Sequence, residues 1–397
     1  MNAAKSNGRR AAWVTALCVV LLSLGLWALL SVWTNTPFAG KSPYCTYTLQ
    51  AMAWRDGRVS LGQDYPWLEL AVYQGDWYVS FPPTPTVPIY LLTFLFGSNV
   101  PDNLLIKVYA LVGMLAVFFA LRKRQGNLRA GFIALMTGFC GSAAALATQG
   151  AVWYQAQMLA FCLTACAVCL ASEGSITVSL FLYALSVGCR PFNVAYGPLL
   201  MLIWARRKRL HTTRELARGL WKGIVLGLCV AAAYAAYNYA RFGDPLEFGT
   251  NYLPEFMRSA HGEFSLKHLA NNLRNVVLGG PFERGENGWS IKKYGFSLFL
   301  ANPLLICLVI RFVLDAAKRR LNSVKCLCMA LFLAQMFLLL LHRTFGGFQF
   351  GARYAFDLVP YYVAYLCADE RRLSAWEIAL MLAGLAFSLY GVSVVHI

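Results

Sequence analysis

Charge is scarce in this chain: only 13% of its 397 residues are Asp, Glu, Lys or Arg, and only five are histidine. A soluble domain of this length needs more charge on its surface, so that class is excluded. Few histidines and dispersed acids also leave no zinc-ligand spacing; Cys162, Cys166 and Cys169 share a helical face but have no His or acidic companion. Neither a low-complexity linker nor an inverted repeat is apparent, and many secondary transporters carry such a repeat.

What the chain does have is apolar length. Hydrophobic residues make up 58% of it, and they recur in runs of about 20, the length that spans a bilayer. The formal net charge of +17 would suggest a nucleic-acid partner if it formed a stripe on a soluble fold. Here the basic residues cluster in short segments between apolar runs, which excludes nucleic acid and indicates membrane orientation. The twelve cysteines lie mostly in or beside those runs, where thiols act as small hydrophobes.

Five basic clusters set the topology: Lys5 to Arg10, Arg122 to Arg129, Arg206 to Lys222, Lys318 to Lys325, and Arg371 with Arg372. Placing all five in the cytoplasm predicts an all-α polytopic membrane protein, residues 1–397 forming one integral membrane domain. About eleven transmembrane helices follow, near 11–33, 102–121, 130–148, 154–172, 175–190, 192–206, 222–241, 296–314, 326–342, 354–368 and 374–395. The first is too long for a signal-peptide core and lacks a clear cleavage site, so it is read as a span with a cytoplasmic N-terminus.

Two long loops then lie outside, 34–101 and 242–295. Within the first, 84–97 is too short to cross and is expected to be a re-entrant or juxtamembrane helix. Within the second, FSLKHLANNLRNVVL is expected to form an amphipathic interfacial helix. Long aromatic and partly acidic loops on one side are where function is usually built.

The first loop contains GRVSLGQDYPWLELAVYQGDWYVSFPPTPTVPIYLLTFLFG, an acidic stretch followed by a YQGDWY turn, Pro82-Pro83 and a short helix. This pattern resembles the GT-C glycosyltransferases, distantly the protein O-mannosyltransferases and aminoarabinose transferases. Late in the chain, GGFQFGARYAFDLVP is similar to a Gly-x-Arg-Tyr-x-x-Asp-x-x-Pro signature of bacterial members, and Cys189-Arg190-Pro191 to their Arg-Pro element. Two places depart from the pattern. TPFAGKSPYCTYTL after the first span holds no carboxylate, and GAVWYQAQ lacks the acid some relatives place there.

The resemblance implies a GT-C-like fold and an inverting hexosyl- or pentosyltransferase. It would move a sugar from a polyprenyl-phosphate donor to an envelope glycan, lipid or protein outside a bacterial inner membrane. No cofactor follows with certainty, and a divalent cation stays open.

Chemistry narrows the residues. A carboxylate must take the acceptor's proton, and Glu69 is the first candidate, Asp64 the second. The departing lipid phosphate needs cations; Arg353, Arg190, Lys292, Lys293 and Arg343 sit at expected outer borders. Tyr73, Trp77, Tyr78 and Gln349 could contact substrate, although aromatic residues also gather at bilayer interfaces. Plainer roles compete, such as a solvated Glu69 or an Arg353–Asp357 pair one helical turn apart. A shared cavity requires Glu69 and Arg353 within about 15 Å of each other. The alternative functions are a transporter or flippase of a lipid-linked envelope precursor, and a silent assembly factor.

Overall fold

The computed structural model describes residues 2–285, 288–344 and 346–395, with side chains from Gly8 onward. Glu286, an acid of the second loop, lies outside them. The chain opens with α1 (Asn2–Trp33). The first loop then folds as α2 (Thr46–Arg55), a hairpin of β1 (Leu70–Tyr73) and β2 (Asp76–Val79), and α3 (Thr86–Phe96). Gln74 and Gly75 at the hairpin tip have φ of 51° and 83°, the left-handed pair that a two-residue hairpin turn requires. Helix α3 has 11 residues, about 16 Å at 1.5 Å per residue, too short to cross a bilayer. It leaves Leu91, Phe94 and Leu95 exposed, as an interfacial helix would.

Next come α4 (Asp102–Gln125), α5 (Asn127–Phe139), α6 (Ser142–Leu146), α7 (Val152–Glu173), α8 (Ile176–Val187), a 3-10 turn Pro191–Ala195, α9 (Tyr196–Lys208) and α10 (Thr213–Phe242). The second loop holds α11 (Pro254–Met257), α12 (Leu266–Asn272), a π turn Leu273–Val277, a hairpin of β3 (Phe282–Gly285) and β4 (Gly288–Ile291), and α13 (Leu298–Ala301). The chain closes with α14 (Pro303–Ala317), α15 (Ser323–Leu341), a 3-10 turn Arg353–Leu358, α16 (Val359–Cys367) and α17 (Ala375–Val394).

Six of the described helices, α1, α4, α7, α10, α15 and α17, are long and apolar enough to cross a membrane, so the chain is an integral membrane protein. The other five expected segments hold shorter or interrupted helices. Gly141, with φ of 109°, separates α5 from α6, and Pro303, which has no N–H to give, separates α13 from α14. The amphipathic helix of the second loop is also shorter than the pattern predicts. Asn272 donates to the carbonyls of Leu340 and His342, both at 2.8 Å, and the chain widens into the π turn there.

Helices α4, α7 and α16 form the centre, with Phe118, Met158, Ala165 and Leu366 almost wholly buried. At the far end of α14, away from the loops, a charge network closes the C-terminal helices. Arg311 pairs with Glu377 and with Asp369 (2.7 Å), Lys325 with Asp315 (2.8 Å) and Asp369 (3.1 Å), and Arg371 with Asp315 (2.8 Å).

Candidate functional site

Residues 150–157, GAVWYQAQ, lead into the first turns of α7 and organise the site. Ala151, in extended conformation, is the N-cap. Trp153 donates its indole N–H to Glu69 Oε2 at 2.8 Å. The next residue, Tyr154, lies under Arg353, whose guanidinium carbon is 5.9 Å from the ring centre. One turn along, Gln157 accepts from Arg353 Nη1 at 3.2 Å and donates to the Arg353 carbonyl (3.0 Å) and to Asp357 Oδ1 (3.2 Å). Neighbouring positions of one helix therefore hold both Glu69 and Arg353.

Glu69 stands immediately before β1 and is exposed to solvent. The protein around it removes hydration, and this pushes its carboxyl above the ordinary value. The Trp153 N–H and the Arg353 charge pull the other way, and Glu255 of the second loop pushes up again. A wet but poorly hydrated carboxylate is a stronger proton acceptor than a free one. Asp64 lies exposed in the irregular stretch before the hairpin.

Arg353 opens the 3-10 turn and is 6% exposed. Among the described residues no carboxylate lies within salt-bridge distance of it, because Asp357 pairs with Arg190 at 2.8 Å. Both arginines flank one aromatic ring: the guanidinium carbons of Arg190 and Arg353 sit 4.5 and 4.7 Å from the Tyr354 centroid. Gly346, with φ of 108°, lets the guanidinium approach the backbone, since a Cβ there would overlap Arg353 Nε.

Gln349 is buried and works on the same turn. Its Oε1 accepts from the Arg353 N–H (2.8 Å), and its own N–H donates to the Lys293 carbonyl (2.7 Å). This brings the exposed Lys293 and half-buried Lys292 beside the Arg353 segment, with Lys293 Nζ 5.6 Å from the Phe348 ring. Arg343 is tied into the second loop, its N–H on the Glu263 carbonyl (2.8 Å) and its guanidinium on the Glu255 carbonyl. Tyr73 and Tyr78 pack on Phe242 at 5.6 and 5.2 Å, and Tyr73 on Tyr252 at 4.6 Å. These two rings join the hairpin to the end of α10, while Trp77 packs half-buried beneath the hairpin.

A cavity of about 280 Å³ opens between α8, α9 and α10, walled by Leu180, Ala184, Val187, Val194, Met201 and Tyr234. Of its walls, Val187 and Val194 lie three and four residues from Arg190 in sequence. Among the described residues no three His, Cys, Asp or Glu side chains cluster as metal ligands. Sequence reasoning did not single out Trp153, Gln155, Gln157 or Asp102. The first three are neutral, and an acid opening a helix reads as an ordinary dipole partner.

No family model and no curated protein matches the chain. Solved structures do. The Archaeoglobus fulgidus oligosaccharyltransferase AglB, in complex with an inhibitory peptide and a dolichol-phosphate, aligns with TM-score 0.56 and 13% identity over 95% of this chain and 55% of its own. Its apo form gives TM-score 0.54 and 12% identity over the same shares. ArnT from Cupriavidus metallidurans, bound to undecaprenyl phosphate, gives TM-score 0.55 and 13% identity over 94% of this chain and 63% of its own. The chain thus spans about half the length of AglB and under two thirds of ArnT. Likeness at this identity establishes the fold, and that fold is the one shared by these GT-C glycosyltransferases.

Proposed function

We propose that this protein is an inverting glycosyltransferase that moves a sugar from a polyprenyl-phosphate donor to an acceptor hydroxyl on the extracytoplasmic side of a bacterial inner membrane. One observation carries the reading. The buried Arg353 guanidinium lacks a carboxylate partner among the described residues, and it shares one helix end with the solvent-accessible carboxylate of Glu69. A buried cation without a counter-ion is costly unless an anionic ligand supplies one.

Glu69 Oε1, the oxygen that Trp153 leaves open, accepts the acceptor's proton as the hydroxyl oxygen attacks the anomeric carbon. The bond from that carbon to the lipid-phosphate oxygen breaks on the opposite face, which inverts the centre. The electron pair leaves on the phosphate, where Arg353 and Arg190 hold the charge. The largely apolar slot between α8, α9 and α10 would take the donor's apolar tail. The lipid phosphates of the AglB and ArnT structures support a ligand of the same class. Lys292 and Lys293 extend the positive edge, and the acceptor is an envelope glycan, lipid or protein.

The test uses protein in nanodiscs with undecaprenyl phosphate as probe. Native mass spectrometry is expected to show binding by the wild type and its loss in Arg353→Ala, with binding kept in Glu69→Gln. Radiolabelled sugar supplied on total lipid-linked precursors should move to the acceptor with the wild type and not with Glu69→Gln. Equal transfer by Glu69→Gln would overturn the assignment of the base. Lipid movement between leaflets without any sugar transfer would establish a transporter instead.

A further inference from the structure

Asp102 opens α4 with 0% of its surface exposed, and among the described residues no cation pairs with it. It accepts instead from Gln155 Nε2 (3.0 Å), the Ser42 N–H (3.4 Å) and the Thr48 hydroxyl (3.4 Å). A carboxylate buried on neutral donors alone is expensive. What it holds is the outer end of α7. Gln155 Nε2 also donates to the Gly150 carbonyl (3.0 Å), and the Gly150 N–H donates to the side chain of Asn103 (2.7 Å). Gly150 rests on the Asp102 backbone so closely that a Cβ would overlap it. Lys107 adds a further tie, its ammonium on the Asn103 carbonyl at 2.8 Å and the Thr148 carbonyl at 3.5 Å. Both ends of the turn 150–155 are thereby pinned to α4, and that turn carries Trp153.

We infer that Asp102, acting through Gln155, is a positioning residue: it fixes the outer turn of α7 so that Trp153 occupies one oxygen of Glu69 and leaves the other open. This rests on Glu69 as the proton acceptor. Asp102 itself is sealed from the cavity and touches no reacting atom. Without the tie, the loop preceding α7 can move, because loops lacking buried partners open locally at little cost. The Trp153 N–H, which favours the charged carboxylate, would then be lost from Glu69.

The test needs no sugar donor. A carbodiimide reacts with protonated carboxyls, so the extent of Glu69 labelling across a pH series, read by peptide mass spectrometry, gives the midpoint of its titration. The groups facing Glu69, namely Trp153, Arg353 and Glu255, keep their identity in Asp102→Asn and Gln155→Ala. Both variants are expected to shift the midpoint upward, in the same direction as Trp153→Phe, with melting temperatures within a few degrees of wild type. Should Asp102→Asn fail to fold, Gln155→Ala decides. Folded variants with a wild-type labelling profile would overturn the inference, and so would loss of folding in both, which leaves Asp102 a structural group only. If the midpoints move while no sugar transfer is found, Asp102 still positions Trp153 on Glu69, and it is the proposed activity that falls.

Discussion

Glu69 is held against its own electrostatic preference. Desolvation raises its carboxyl from the ordinary value of 4.5, so between that value and its folded one the native state keeps a proton that the unfolded chain releases. Stability therefore falls as pH rises through this window, and the native state is favoured below it. Glutamine mimics the protonated form and does not titrate. Glu69→Gln is thus expected to melt with the wild type at pH below 4.5 and above it at neutral pH, by calorimetry. In the same variant transfer should fall by about 10²–10⁴-fold. Arg353→Lys is expected to recover only part of the lipid binding lost in Arg353→Ala, since a point charge cannot match two phosphate oxygens as a guanidinium does. At this scale the charged residues were legible because ionisable groups beside apolar runs are conspicuous. Trp153 and Gln157 were not, because GAVWYQAQ draws attention to the acid it lacks rather than to the donors it holds.

Elements carry the next set of expectations. The α4–α7 junction tolerates no added atom at Gly150, where a Cβ meets the Asp102 backbone. Gly150→Ala should lower stability by about 1–3 kcal/mol through overpacking, seen as a lower melting temperature with weakened Glu69 labelling contrast. In the network of α14–α17, the side chains of Arg311, Asp369 and Glu377 are each at most 2% exposed. Arg311→Met leaves two buried carboxylates short of their partner and should cost roughly 3–5 kcal/mol, measurable by thermal unfolding in detergent. Helix positions followed directly from the apolar runs, as did the shortness of α3. The breaks at Gly141 and Pro303, and the narrowing of the expected amphipathic helix at Asn272, depend on tertiary partners that periodicity does not carry.

Over the whole molecule, the effect of a bound lipid phosphate on stability tests the proposed site. A lipid phosphate that binds only the folded protein stabilises it by about 2.7 kcal/mol at a hundred times Kd. Undecaprenyl phosphate should raise the melting temperature of the wild type and leave Arg353→Ala unmoved. The basic clusters at Arg122–Arg129 and Lys318–Lys325 are expected in the cytoplasm; tags inserted there should resist protease in intact spheroplasts, and a tag in the first loop should not.

Helix α10 leans on the bundle chiefly through α8, along the close approach at Gly223. Its C-terminal end is fastened to the first loop: Tyr234 to Thr84 at 2.5 Å, Tyr237 to Gln50 at 2.7 Å, Arg241 to the Val79 carbonyl at 2.7 Å. A helix packed on one neighbour along its length and tied at one end to a loop links the two. The same helix thus walls the slot and, through Arg241 and Val79, holds the hairpin that begins just after Glu69, so a change in one is felt at the other.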